Sequence, residues 1–462
     1  MKSTIKPTMK SKLQLVSITA VLCLLLSSCI LPVTPMLVTP TATPTLLPSA
    51  TDTLLLLPPA TATLTLPVSA TDTPVETATE LLPPTPVALT PTLAGPALAH
   101  LLVGQKIDIT FIHMVDANQG WGIGGLNKAS DHVFFTKDGG QTWRDVTPPQ
   151  PAAGAGASLT ALGYFPDANT AHVVYGLPAD SGGVPPFIQV WITNDGGATW
   201  TYGSIDTSAV TGEAFSPYYL NFADSQHGWL MVFLGAGMMH AYVALFKTVD
   251  GGATWTDILD PSTLNDIQSF PKTGMVFVDP LTGWLTRDSQ GVDPAPHIFR
   301  TADGGGTWIR LDLPAPADAP DLFVSDSCGS YSPNAFSALS LTIALKCLDN
   351  ATFKIEKDYS YFTGDGGVTW KTYPLPADYT LGPGLYFFNA QNGLALGPRL
   401  YTTSDGGQTW KFIQQVSWNG QFSFVSMQLG WAHVFNDQGE TALVKTVNGG
   451  LTWSMLHPLV AP

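Results

Sequence analysis

The chain has 462 residues and a formal net charge of −15; 12% of its residues are charged and 45% are hydrophobic. A nucleic-acid partner requires clustered cations that neutralise phosphates, so 20 lysines and arginines against 35 acids argue against such a partner. The same balance argues against strong adhesion to anionic lipid beyond a covalent anchor. Residues 99–462 are enough for a large buried core in one domain.

The first 28 residues have the organisation of an export signal. Four lysines among the first twelve residues precede an apolar run over residues 13–26, and the tetrad Leu26-Ser27-Ser28-Cys29 follows. This tetrad resembles the lipobox of bacterial lipoproteins, which implies cleavage before Cys29 and acylation of its thiol. An ordinary secretory signal or an N-terminal membrane helix is the alternative. Loss of a signal peptide over residues 1–28 takes the formal net charge from −15 to −19.

Residues 29–98 form a linker that is rich in proline and threonine and has no lysine or arginine. Residues 49–53 and 69–73 both read Ser-Ala-Thr-Asp-Thr, a repeat of low complexity. Frequent prolines exclude a helix or a central strand, so we expect a disordered stalk. Fully extended, it would reach on the order of 200 Å and carry the following domain away from the membrane.

Residues 99–462 contain seven copies of one eight-residue pattern, Thr-x-Asp/Asn-Gly-Gly-x-Thr-Trp, which we call the box. Its acid or amide and its closing tryptophan are Asp138 and Trp143, Asp195 and Trp200, Asp250 and Trp255, Asp303 and Trp308, Asp365 and Trp370, Asp405 and Trp410, and Asn448 and Trp453. Successive copies lie 40 to 62 residues apart, and about 50 residues is the length of one four-stranded propeller blade. The repeat therefore predicts an all-β fold of seven blades.

Each box follows a short apolar strand, and its residues predict a hairpin. Glycine accepts the positive φ of tight turns, and the Asp side chain can accept hydrogen bonds from N–H groups two residues on. The closing tryptophan is expected to begin the outer strand and to pack toward the adjacent blade. Because the same box recurs in every blade, we interpret all seven acids and amides as structural.

A looser repeat, Phe-x-Asp-x-x-x-Gly-Trp, precedes the box in most blades and is complete at residues 222–229 and 277–284. The boxes resemble the Asp-box (BNR) repeat of sialidase-type β-propellers. The pairing of the two repeats is similar, more narrowly, to the photosystem II assembly factor family. The resemblance covers about residues 107–457 and implies a seven-bladed propeller of four-stranded antiparallel blades. Asp-boxes occur in glycosidases, sorting receptors and assembly factors alike, so the motif does not specify a function.

Two features bear on the stability of the ring. The fifth blade lacks the Gly-Trp pair; its residues 323–345 include Cys328, and Cys347 lies just beyond that stretch. In an oxidising compartment this pair is expected to form a disulfide, and two free buried thiols are the alternative. The apolar run over residues 101–103 is expected to add a strand to the last blade and close the ring.

Residues 99–462 contain few arginines for a sialidase site. Such an enzyme needs three arginines around the substrate carboxylate, because bidentate pairing fixes its orientation. Residues 99–462 contain five arginines: Arg144, Arg287, Arg300, Arg310 and Arg399. Three of them adjoin boxes, which leaves Arg287 and Arg399, too few for a triad.

The sequence gives equally little support for other kinds of catalytic site. A xyloglucanase-like hydrolase needs two carboxyls across a cleft, and Asp288, Asp293 and Asp326 in irregular segments are the candidates for such a pair. The nine histidines show no metal-ligand spacing, and no glycine run has the context of a phosphate loop. We therefore expect no metal, no cofactor and no catalytic residue.

Together these features favour a lipid-anchored protein on the extracytoplasmic face of the cell membrane. Its propeller is expected to be a monomer that binds or scaffolds a protein or glycan through loops at one face or at the channel mouth, without catalysis. A sialidase-like or xyloglucanase-like glycoside hydrolase is the first alternative. The second is a photosystem II assembly or stability factor, which would need a basic docking patch.

Overall fold

The structure, a computed structural model, describes residues 97–150, 159–176, 183–237, 240–259, 266–288, 296–352, 355–379 and 384–462. The expected signal peptide, Cys29, nearly all of the linker and Asp293 lie outside these residues. The helical elements within them are α1 (Leu322–Ser325) and a 3₁₀ turn at Asp266–Gln268. No helix in the described part of the chain is long and apolar enough to cross a membrane.

The strands form seven antiparallel sheets in chain order, so the expected all-β, seven-bladed propeller of four-stranded blades is confirmed. Blade 1 consists of β1 (Asp108–Met114), β2 (Gly120–Gly125), β3 (His132–Thr136) and β4 (Thr142–Asp145), and blade 2 consists of β5 (Thr160–Tyr164), β6 (Ala171–Gly176), β7 (Phe187–Thr193) and β8 (Thr201–Asp206). Blade 3 consists of β9 (Ser216–Phe222), β10 (Gly228–Gly237), β11 (His240–Thr248) and β12 (Thr256–Leu259), and blade 4 consists of β13 (Lys272–Phe277), β14 (Gly283–Arg287), β15 (His297–Thr301) and β16 (Ile309–Asp312).

Blades 5 to 7 follow the same plan with one addition. Blade 5 consists of β17 (Asp326–Ser330), β18 (Asn334–Ala335), β19 (Leu341–Asp349), β20 (Ile355–Thr363) and β21 (Lys371–Pro374). Blade 6 consists of β22 (Gly384–Phe387), β23 (Gly393–Leu396), β24 (Arg399–Thr403) and β25 (Lys411–Gln415). Blade 7 consists of β26 (Asn419–Phe424), β27 (Gly430–Phe435), β28 (Thr441–Thr446) and β29 (Ser454–Leu456). In blade 5 the inner strand is broken into β17 and β18, which both pair with β19.

The core lies between neighbouring blades, because the central strands are apolar on both faces. Every residue of β2, β6 and β14 is buried. Trp229 of blade 3 is fully buried, and its ring stacks on Phe277 of blade 4 with centroids 3.6 Å apart. Its indole N–H donates to the carbonyl of Gly304 at 2.9 Å, and Trp431 of blade 7 likewise reaches Gly139 of blade 1 at 2.8 Å. The Gly-Trp repeat therefore joins one blade to the next.

The ring closes between blades 7 and 1, and the role expected for residues 101–103 was wrong. These residues form no strand, and blade 7 is complete without them. Instead β30 (Leu459–Val460) adds to the outer strand β4 in parallel, and Val460 N–H donates to the Gln105 carbonyl at 2.9 Å. At the inner strands, Ile112 N–H donates to Gln421 Oε1 at 2.9 Å. The C-terminus closes the ring because it continues directly from blade 7 to the open edge of β4.

The two faces of the ring follow from the antiparallel strand order. Turns between the first and second strands, and boxes between the third and fourth, emerge on one side, which we call the box face. Hairpins between the second and third strands, and connections between blades, emerge on the other side, which we call the loop face. In blades 3 and 5 the second and third strands have nine or ten residues, against four to seven in the other blades. Two long hairpins therefore project from the loop face.

Candidate functional site

The box acids share one set of internal hydrogen bonds. In blade 2, Thr193 Oγ1 donates to Asp195 Oδ1 at 2.8 Å, and the N–H groups of Ala198 and Thr199 donate to the same oxygen at 2.9 Å. The Thr199 hydroxyl donates to Oδ2 at 2.6 Å, and the bonds from Thr199 lower the pKa of Asp195 to about 2. The N–H donors lie three and four residues on, not two, because the two glycines of positive φ lengthen the turn. Corresponding bonds recur in the other six boxes.

Three of the seven closing tryptophans form a hydrogen bond within their own boxes. Trp143, Trp255 and Trp308 donate their indole N–H to the second glycine carbonyl of their own box at 2.9 to 3.1 Å. Trp200 alone among the described box tryptophans donates to a neighbouring blade, at the Val146 carbonyl, 2.8 Å away. The expected packing toward the adjacent blade is also found, because each box tryptophan lies in or against an apolar cluster that includes residues of the preceding blade, as Trp308 does with Leu245.

Three of the five arginines have local partners. Arg144 donates to the carbonyl of a glycine in the box of blade 2. Arg300 lies over the Trp284 ring, 5.4 Å from its centroid, and donates to the carbonyl of Ala338 at 3.3 Å. Arg399 pairs with Asp378 at the surface. These three arginines are committed to separate positions around the ring.

Arg287 and Arg310 converge on one carboxylate at the loop face between blades 3 and 4. Arg310 Nη1 lies 3.1 Å from Asp266 Oδ2, and Arg287 Nη1 lies 4.0 Å from Asp266 Oδ1. His297 stands between them, with Nε2 3.4 Å from Asp266 Oδ2 and Nδ1 3.1 Å from Arg287 Nη2. Burial opposes ionisation of Asp266, but hydrogen bonds from Ser269 and Arg310 outweigh it and lower its pKa. Two of the five arginines thus share one carboxylate of the chain itself.

Lys272 adds a buried cation to this cluster. Its Nζ donates to the carbonyl of Ser269 at 3.0 Å, and burial, with Arg287 nearby, lowers its pKa to about 7. The sequence gives no sign of this cluster, because Arg310 closely follows a box and neither Asp266, Lys272 nor His297 belongs to a motif. They meet because Asp266, in the turn that precedes blade 4, lies close to Arg287, His297 and Arg310 of that blade, and no motif marks this turn.

A second group surrounds Tyr331 where the inner strand of blade 5 breaks. Burial and the nearby carboxylates of Asp358 and Asp288 raise the pKa of Tyr331 to about 12. Burial also raises the pKa of Asp358, which is 5% exposed, to about 7. Asp288 reaches this group from the end of β14 and lies directly against Gly329. The arrangement places a carboxyl that titrates near neutral pH beside a phenol and a second carboxyl.

Of the three aspartates proposed from the sequence, the two that the structure describes lie apart. Asp326 is 1% exposed, and its carboxylate oxygens accept no hydrogen bond within the described residues. It shares a face of blade 5 with Cys328, whereas Asp358 pairs across the strands with Lys346 and faces the other way. Asp288 joins the Tyr331 group, Asp326 does not, and Asp293 lies outside the described residues.

Cys328 and Cys347 stand directly opposite each other on β17 and β19 of blade 5. Their sulfur atoms are 2.02 Å apart and their Cα atoms 4.1 Å apart, so the structure contains a disulfide at this position. The bond lies in the apolar interface with Trp284 and Ile298 of blade 4. It ties the interrupted inner strand to the strand beside it. No group of three His, Cys, Asp or Glu in the described part of the chain is arranged to hold a metal ion.

The fold and its loops define a β-propeller, and known proteins share that architecture. No protein-family model matches this chain, and no curated protein matches it. Among solved structures, it is similar to YCF48 bound to D1 peptide, with 17% identity, 78% of this chain and 99% of that chain covered, and a TM-score of 0.47. It is also similar to the polysaccharide lyase Uly1 (11% identity, 78% and 94% covered, TM-score 0.46) and to the fucose-specific lectin from Aleuria aurantia (10%, 78% and 98%, 0.37). At such identities the likeness concerns the propeller fold alone.

Proposed function

We propose that this protein is a cell-surface lipoprotein whose propeller binds or scaffolds an extracytoplasmic protein or glycan through its loop face, without catalysis. One observation carries the proposal: the hairpins of blades 3 and 5 project from the loop face on either side of blade 4. Selective recognition needs a surface that is not repeated around the ring. The box face repeats one turn seven times, whereas the loop face of blades 3 to 5 does not.

The anchor is the second part of the proposal. An apolar segment that ends at Cys29 and a stalk over residues 29–98 support export, acylation and display away from the membrane. Cys29→Ala should release the protein from membranes or block its processing. An unmodified N-terminus on wild-type protein, with membrane fractionation unchanged by Cys29→Ala, would contradict lipidation.

Two exposed valines of blade 5 allow a matched test of the binding face. Val324 lies in α1 at the loop face and is 83% exposed, whereas Val368 lies in a box and is 81% exposed. Cross-linking in the cell envelope, followed by mass spectrometry, should identify a partner whose yield falls in Val324→Asp and persists in Val368→Asp. Equal yields from both variants, or loss only in Val368→Asp, would contradict a loop-face partner.

A carbohydrate-active enzyme is the second candidate, and the Tyr331 group favours it. Asp358, with its raised pKa, would serve as the proton donor, and Asp288 would be the second carboxyl. Turnover of fluorogenic glycosides or of polysaccharides by the full chain, abolished in Asp358→Asn, would establish this candidate. Absence of turnover on these substrates favours the binding role. The likeness to YCF48 is one of fold and does not bring that protein's peptide to this chain.

A further inference from the structure

A cavity of about 370 Å³ opens at the loop face beside the long hairpin of blade 3. Residues 211–213, which lead into blade 3, form one wall, and residues 234–236 with Tyr242 form the other. Sites for small ligands are generally clefts of roughly 300 to 1,000 Å³, so the volume suits a single side chain or a small molecule. The cavity is separate from both the Asp266 cluster and the Tyr331 group.

The backbone explains why this cavity exists. Strand β10 bulges between Phe233 and Gly235, and Gly235 has a φ of 145°, which a residue with a side chain rarely adopts. The incoming segment is tied to the hairpin, since Glu213 N–H donates to the Leu234 carbonyl at 2.8 Å. A Cβ on Gly212 would stand 2.8 Å from Leu234, so the two walls touch there and separate beyond it. The cavity therefore results from the single bulge in an otherwise regular hairpin.

The lining combines an apolar surface, one aromatic ring and one carboxylate. The side chain of Leu234 is buried in the core, so Ala236 supplies the exposed aliphatic side chain, and Tyr242 stacks beside His240 with ring centroids 5.8 Å apart. The Glu213 carboxylate folds toward the bulge, where Oε2 lies 3.9 Å from the position of a Cβ on Gly235. Glu213 forms no ion pair with any of the residues that the structure describes. A cavity lined by a carboxylate, an aromatic ring and apolar surface suits an alkyl chain with a cationic head.

We propose that this cavity receives a lysine or arginine side chain of a protein partner. This inference deepens the proposed function, on which it rests for the existence of the partner. The apolar walls would contact the aliphatic stem, Glu213 would accept a charge-assisted hydrogen bond from the cationic head, and Tyr242 would add a cation–π contact. The net charge of −15 attracts cationic surfaces and repels acidic ones, which favours a basic partner over an anionic glycan.

The test uses small probes, so it does not depend on knowing the partner. Binding of Nα-acetyl-lysine amide and Nα-acetyl-arginine amide to the full chain is measured by NMR titration, with Nα-acetyl-norleucine amide as the uncharged analogue. The cationic probes should bind, the norleucine probe should bind at least about ten-fold more weakly, and Glu213→Gln should abolish that difference. Glu440→Gln, which removes an exposed carboxylate of blade 7, should leave both affinities unchanged.

A second variant tests the proposal even if Glu213→Gln disturbs the wall of the cavity. Ala236→Phe fills the cavity from an exposed position and should weaken binding of both cationic probes. Equal binding of lysine and norleucine probes, or cationic binding that survives both variants, would overturn the proposal. Binding of a neutral monosaccharide that competes at Tyr242 would overturn it in favour of a sugar site. Each of these outcomes leaves the Val324→Asp comparison intact as the separate test of the proposed function.

Discussion

The box face and the loop face are built on the same blades, yet the box acids and two acids of the loop face are used in opposite ways. On the box face, every Asp is held by neighbours within its own eight residues, as Asp195 is by Thr193 and Thr199. On the loop face, Asp266 and Asp358 interact with residues that are far away in the sequence. The comparison teaches that local, repeated acids maintain the scaffold, whereas acids with distant partners give one side of the ring its individual chemistry.

Trp229→Ala is expected to have the largest effect, because it breaks the contact between blades that supports both faces. The indole is fully buried, stacks on Phe277 and donates to Gly304, so its removal should cost about 3 to 5 kcal/mol of unfolding free energy. Urea unfolding measures the loss. Trp410→Ala, at a half-buried box tryptophan, is the matched control and should cost less. Equal losses of unfolding free energy would contradict a larger contribution from the Gly-Trp tryptophans than from the box tryptophans.

The double variant Cys328→Ser/Cys347→Ser tests how much the disulfide of blade 5 stabilises the protein. The disulfide closes a segment with a sequence separation of 19, which stabilises by roughly 3 kcal/mol in the chain-entropy estimate. Urea unfolding of the variant should match that of reduced wild-type protein. Labelling of both thiols by iodoacetamide in unreduced, denatured wild-type protein would show that the bond does not form.

Asp358→Asn tests the buried carboxyl of the loop face. Its folded pKa of about 7 lies above the ordinary value of 3.8, so the folded protein retains a proton that the unfolded chain releases. This contribution to stability is present in full below about pH 4 and is lost as the pH rises to about 7. The variant should therefore match wild type at pH 4 and be more stable at pH 8, by on the order of 4 kcal/mol. A difference between the two proteins that does not change with pH would contradict a raised pKa.

Asp303→Ala and Asp303→Asn should have the smallest effects, because the box acid is exposed. Asp303 accepts hydrogen bonds from Thr301 and from both polar groups of Thr307, so alanine should cost about 1 kcal/mol. Asparagine should cost less, since Asn448 accepts the same backbone bond and donates through Nδ2 to the Thr452 hydroxyl at 2.8 Å. Thermal unfolding ranks the two variants. A larger loss for asparagine than for alanine would contradict this account.

Much of the fold was predictable, because the box and the Gly-Trp repeat are local signals. The positive φ of paired glycines and the bonds of Asp195 arise within eight residues, so seven copies were enough to predict seven blades. Ring closure was not predictable in the same way. Residues 101–103 and β30 are both short apolar segments, and only the position of the β4 edge shows that β30 occupies it.

The candidate sites were less accessible to sequence reasoning. The interval between the boxes of Asp303 and Asp365 is the longest of the series, and it contains α1 and the additional strand β18. It did not indicate that Asp288, from the preceding blade, would meet Tyr331 and Asp358 there. Nor does any spacing relate Glu213 to Tyr242, because the cavity between them depends on a bulge at Gly235.

The sequence by itself determined the repeated unit, the number of blades and the structural role of the box acids in each turn. It did so because these depend on contacts between residues a few positions apart, whose geometry is set by the turn. The tertiary structure alone decided how the ring closes, which charges converge on Asp266 and where the loop face opens a cavity. These depend on segments that meet only after blades have packed, and no local pattern encodes which distant residue will be the neighbour.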